Sequence, residues 1–171
     1  MVKRNKKRLY LELDERFKPG FHIALLLLPK GAKGSSPAPV AARFHATNPI
    51  DKDSGQVRWK YEEQTAVRAR TDLIRALVYL GKVEDEAKMR TVLEGVEVVQ
   101  DNPDWRCKNW AWDALDALVE AGVITLPGNG ESIWKVGVEF AEKNPLDNPP
   151  RVILPTCSVD GAPMKSALEG F

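Results

Sequence analysis

The stretch that most constrains this chain is residues 21–28, FHIALLLL. On the two-residue period of a strand, Phe21, Ile23, Leu25 and Leu27 point one way, while His22, Ala24, Leu26 and Leu28 point the other. Both sides are apolar, so both must be covered, and the segment reads as a central strand. The apolar run from Ile23 to Leu28 is far shorter than the roughly 20 residues a membrane-spanning helix needs. Pro29 stops the strand, and residues 31–39, GAKGSSPAP, read as a flexible connection that could serve as a flap beside a site.

Around this strand the pattern predicts others at residues 8–13, 40–47 (VAARFHAT), 56–65 (QVRWKYEEQT) and 73–83. Residues 96–100 read as a short strand or an extended link. Helices are predicted at residues 84–93, 105–121 and 132–143, the second with Asp104 as its N-cap behind Asn102-Pro103 and ended by Gly122. The expected fold class is therefore α+β, a small antiparallel sheet packed against helices in one domain spanning residues 1–171. A basic extension (residues 1–8) precedes it, and a Pro- and Gly-bearing irregular tail (residues 145–171) follows.

With 25 basic and 24 acidic side chains the formal charge is +1, so bulk electrostatics carry no strong nucleic-acid signal. The cluster Lys3, Arg4, Lys6, Lys7 and Arg8 is the one local exception. It lacks the following apolar stretch of a signal peptide, because Glu12, Asp14, Glu15 and Arg16 interrupt it, and the expected location is cytoplasmic or nuclear. Cys107 and Cys157 are the only cysteines, and the sequence leaves open whether they pair.

Chemistry concentrates at three positions. With Asp104 as N-cap, Cys107 would be the third helical residue, where unsatisfied backbone donors and the helix dipole stabilise a thiolate. A nucleophilic thiol needs a base, and His22, at the edge of the central strand, can supply one; His45 on a neighbouring strand can orient it, with Asn48 and Asp51 as competing orienters. For the oxyanion, the Cys107 N–H needs a second donor, for which Tyr10, Lys108 and Asn109 are the candidates. A zinc site of Cys107, His22 and His45 with Cys157 or an acid lacks any short paired ligand spacing, so no metal or other cofactor is expected. Trp105, Trp110 and Trp112 surround Cys107 in directions that a helix separates, and at least two of them should pack the helix onto the sheet.

The order of FHIALLLL, ARFHAT and WRCKNWAWDAL resembles the circularly permuted branch of the papain-like cysteine hydrolases, which includes lecithin retinol acyltransferase-like and desumoylating isopeptidase-like proteins. In that branch a histidine opens a strand and a cysteine follows much later at a helix N-terminus. The resemblance spans roughly residues 9–123 and implies a permuted papain-like topology with Cys107 as nucleophile, His22 as base and His45 in the third polar role. Arg106 stands where acyltransferase-like members carry an asparagine. The chain is also similar to a family of small fungal proteins sharing the H, FH-TNP, W-YEE and W-C--W--DAL pattern, which implies no particular activity. The expected function is a thiol hydrolase or acyl-transfer enzyme acting on an amide, ester or thioester of a protein, peptide or acyl substrate. The alternative is a noncatalytic protein-interaction module on the same scaffold.

Overall fold

A computed structural model describes residues 6–29, 40–68, 73–146 and 154–165; the connection at 31–39 lies outside them. In chain order the described elements are β1 (Lys7–Asp14), β2 (His22–Leu28), β3 (Val40–Thr47), β4 (Lys60–Arg68), β5 (Ile74–Val83), α1 (Glu86–Glu94), α2 (Cys107–Glu120), α3 (Gly130–Glu142), β6 (Thr156–Cys157) and β7 (Pro163–Met164). Among the described residues the strands form one seven-stranded sheet, ordered β4-β3-β2-β1-β5-β6-β7. The α+β class is as expected. The sheet is mixed rather than wholly antiparallel, because β6 joins β5 in parallel.

The apolar run occupies the middle of this sheet. β2 is flanked by β1 on one side and β3 on the other, and Ile23 to Leu28 are at most 1% exposed. Its two parities serve two cores. Ile23, Leu25 and Leu27 join Leu9, Leu11, Leu13, Phe44 and Ala46 beneath the helices, while Leu26 and Leu28 join Tyr10, Ala41, Leu77 and Leu154 on the other face. Burying apolar area on both sides, at about 25 cal/mol per Å², makes this strand the anchor of the domain.

All three helices lie on the first face. Trp110 of α2 packs on Tyr61 of β4, with ring centroids 5.6 Å apart, and the Arg90 guanidinium of α1 lies 5.7 Å from the Phe44 ring centroid. Helix α3 approaches so closely that a Cβ on Gly137 would sit 2.9 Å from Leu13 Cδ1. At its start, a Cβ on Gly130 would meet the Trp112 carbonyl oxygen at 2.2 Å, while the Gly130 N–H donates to Asp116 Oδ1. These glycines set how tightly α3 packs on the sheet and on α2.

Helix α2 begins later than the capping pattern predicts. Its N-cap is Arg106, whose N–H donates to Asn109 Oδ1 at 2.8 Å. Asp104 instead belongs to the preceding turn, with its own N–H on Asn102 Oδ1 and the Trp105 N–H on the Asn102 carbonyl. Trp105 is held edge-on to Trp59, centroids 5.1 Å apart, and this anchored turn delays the helix. Cys107 is therefore its first residue, not its third.

Other boundaries also move. β4 starts at Lys60, because the Trp59 N–H and C=O are both occupied by the Gln100 side chain, at 3.0 and 2.6 Å. That bond pair ties down residues 96–100, which form no strand. The basic extension is shorter than expected: Lys7 and Arg8 belong to β1, Lys6 pairs with Glu84, and Lys7 reaches Glu86 at 3.0 Å. Within the tail, residues 154–165 contribute β6 and β7 rather than irregular chain.

Candidate active site

Cys107 sits where the fold leaves donors over. The Arg106 carbonyl accepts from the N–H groups of Asn109 and Trp110, so the N–H groups of Cys107 and Lys108, one turn ahead, have no intrahelical acceptor. The Cys107 side chain is only 3% exposed, yet it lines a cleft of about 300 Å³ with Arg16, Phe21, Lys108, Trp134 and Glu142. Lys108 Nζ rests against the Trp112 and Trp134 rings, 5.6 and 5.1 Å from their centroids. The thiol thus sits at a helix N-terminus, beside a cleft wall that carries Arg16 and Lys108.

The second cysteine is built differently. Cys107 and Cys157 are both free thiols, which answers the pairing question. Cys157 is fully buried in β6, and burial, with Asp160 adding to it, pushes its thiol up to about 11. It stays protonated and shielded at neutral pH.

The two histidines meet. His22, first residue of β2, and His45, near the end of β3, bring Nε2 and Nδ1 to 2.7 Å, with ring planes at 72°. Burial lowers the pKa of each to about 4; the neighbouring His45, Arg16 and Arg43 add to the effect at His22, and Arg43 adds to it at His45. Both rings are therefore neutral at pH 7 and able to accept a proton.

The sequence reading missed His45's outer neighbour. Glu62 is its direct cross-strand partner on β4, with Oε2 3.7 Å from His45 Nε2. Alternation within YEEQ could have placed a glutamate on this face, but not opposite His45, because that depends on the β3–β4 register. The competing orienters are elsewhere: Asn48 is exposed, and Asp51 accepts the N–H groups of Asp53 and Ser54 within its own turn.

Strand alternation assigns the imidazoles to the sheet face away from the helices. They share it with a buried ion pair, Glu12–Arg43, whose Oε1 and Nη2 are 2.8 Å apart. Burial and nearby Asp14 push the Glu12 carboxyl well above the usual range, against the pull of Arg43. Cys107 belongs to the helix-side core. The two halves approach at one end of the sheet, where Phe21, next to His22 in the chain, and Arg16, whose charge His22 feels, both line the Cys107 cleft. Among the described residues no hydrogen bond joins the thiol to either imidazole. Of the candidate oxyanion donors, Tyr10 lies on the far face against Tyr79, and the Asn109 side chain is committed to Arg106. Of the three tryptophans, Trp110 packs α2 onto the sheet at Tyr61, whereas Trp105, in the turn before the helix, meets Trp59, and Trp112 meets Trp134 of α3.

These features define an α+β protein with one mixed sheet, a thiol opening a helix beside a cleft, and a half-buried and a buried histidine, both neutral, in hydrogen-bond contact. The chain belongs to a family of unknown function, DUF6914, which it matches over residues 6–144. No curated protein and no solved structure matches it. Among the described residues no helix is long and apolar enough to cross a membrane, and no group of three or more His, Cys, Asp and Glu side chains is disposed to hold a metal ion.

Proposed function

We propose that the protein is a thiol hydrolase or acyl-transfer enzyme acting on an amide, ester or thioester, on a circularly permuted papain-like topology. The observation that carries the reading is Cys107 as the first residue of α2, opening on a cleft whose wall includes Phe21, the residue before the neutral, hydrogen-bonded His22. In this scheme the Cys107 proton passes to His22 and the sulfur attacks the substrate carbonyl carbon. The resulting oxyanion accepts from the free N–H groups of Cys107 and Lys108. As the carbonyl re-forms, the leaving group departs with the proton from His22, giving a thioester on Cys107. Water, deprotonated by His22, or a second acceptor then releases the acyl group and restores the thiol.

The reacting state needs a His22 nitrogen within about 3–4 Å of Sγ, a contact of the kind that tightens when substrate binds. His22 opens its strand, so its ring stands at the sheet end nearest the cleft. One observation favours the second reading, a noncatalytic interaction module: the imidazoles and the thiol lie on opposite faces of the sheet, without a hydrogen bond between them. Both readings meet the same test. Native protein is treated with ester, amide and thioester electrophiles, and the modified residue is found by mass spectrometry. Labelling at Cys107 by at least one class, lost in Cys107→Ser, supports the enzyme. Absence of labelling by all classes, with a stoichiometric partner covering the cleft, supports the module.

A further inference from the structure

We infer that Glu62 is a positioning residue, which fixes the tautomers of His45 and His22 so that His22 presents an unprotonated Nδ1. The inference deepens the enzyme reading and rests on it only for its catalytic consequence. Each neutral imidazole carries one N–H, and the 2.7 Å contact between His22 Nε2 and His45 Nδ1 needs a proton on one of the two nitrogens. Two arrangements satisfy it. If His45 Nδ1 donates, His45 Nε2 is left as a bare lone pair. That atom is buried and has no hydrogen-bond partner among the described residues, and it faces Glu62 Oε2 at 3.7 Å. A buried lone pair would then confront a half-buried carboxylate, which is repulsive.

If His22 Nε2 donates instead, His45 carries its proton on Nε2, directed toward the Glu62 carboxylate, and the chain of dipoles runs one way from Glu62 to His22. The nitrogen left without a proton is His22 Nδ1, on the less buried of the two rings. A base with its lone pair there can take a thiol proton; the opposite tautomer cannot. Burial, helped by Arg43 at both rings and by Arg16 at His22, lowers both pKa values to about 4, so the resting rings are neutral at pH 7 and each carries the single N–H on which the choice of tautomer turns.

Imidazole ¹⁵N–¹H correlation spectra of the native protein at pH 7 read the tautomers directly. The expected spectrum shows Nε2–H on both His22 and His45, and in Glu62→Ala the pair becomes a mixture with Nδ1–H present on His22. Alkylation at Cys107 is then roughly tenfold or more slower, and Glu62→Asp restores part of the rate and of the tautomer preference. Nδ1–H on His22 in the wild type, or a spectrum unchanged by Glu62→Ala, overturns the inference. The wild-type spectrum needs no variant to fold. Correct, Glu62-dependent tautomers with alkylation indifferent to both Glu62 and His22 would uphold the positioning role and remove the enzyme reading.

Discussion

Replacing Arg43 with methionine probes the electrostatics beneath the histidine pair. Arg43 donates to Glu12 Oε1 from Nε at 2.9 Å and from Nη2 at 2.8 Å, and the two side chains are 10% and 0% exposed. The substitution keeps much of the apolar stem but strands a buried carboxylate. Breaking such a pair from one side costs about 3–5 kcal/mol. Glu12 has an escape, which is to take a proton, and from a reference pKa near 4.3 that costs about 4 kcal/mol at pH 7 and about 1 kcal/mol at pH 5. The smaller of these two costs governs, so the deficit should be about 3–4 kcal/mol at pH 7 and near 1 kcal/mol at pH 5. The sign follows from what is removed: burial and Asp14 raise the Glu12 pKa and Arg43 lowers it, so without Arg43 the folded state holds the proton more tightly than wild type does, and the deficit relative to wild type grows as pH rises. Urea denaturation of wild type, Arg43→Met and Arg43→Met/Glu12→Leu between pH 5 and 8 measures this. The double variant should return to within about 1 kcal/mol of wild type, because an apolar pair replaces a buried ionic one. A loss below about 1 kcal/mol for Arg43→Met at pH 8, or a double variant no better than the single, would refute the reasoning. Removing Arg43 should also raise both imidazole pKa values toward 6.5, since its charge helps hold them near 4.

Two further predictions follow from the same geometry. The histidines, with folded pKa values near 4 against 6.5 when unfolded, should make the protein lose stability as pH falls from about 6.5 to about 4. The loss should amount to at most roughly 3 kcal/mol per ring, and a His22→Gln/His45→Gln variant should flatten that slope in pH-dependent urea titrations. Gly130→Ala should destabilise by about 2 kcal/mol or more in the same assay, because the new Cβ meets Trp112 backbone atoms at 2.2–2.7 Å. Helix preference alone predicts the opposite sign, so a stabilised variant would show that α3 does not pack there.

The parts of this structure that announce themselves in sequence are those with local periodicity. FHIALLLL, apolar on both parities, reads directly as the buried central strand, and the branched, Tyr-bearing LIRALVYLGKV resolves as β5 rather than a helix. The meeting of His22 and His45 was legible because each sits at a marked strand end, one after Pro19-Gly20 and the other before Asn48-Pro49. What was not legible depends on distant partners. The start of α2 is set by Trp105 docking on Trp59, which overrides the nearer capping signal of Asp104. Glu12 carries no local sign of its burial, which depends on Arg43 from across the sheet. The place of Glu62 beside His45 depends on register, and two-residue strands such as β6 and β7 have no period to detect.

The measurement that bears most directly on Cys107 as a nucleophile served by His22 is the site-resolved alkylation rate against pH for wild type, His22→Ala, Cys107→Ser and Cys157→Ser. The account predicts fast reaction at Cys107 near neutral pH and near-abolition of that reaction in His22→Ala. Partial recovery should follow at alkaline pH, where the thiol ionises unaided. Labelling should disappear in Cys107→Ser and persist in Cys157→Ser, since the Cys157 thiol, buried and raised to about 11, reacts only when the protein opens. Superimposable pH profiles for wild type and His22→Ala, in folded protein, would contradict it.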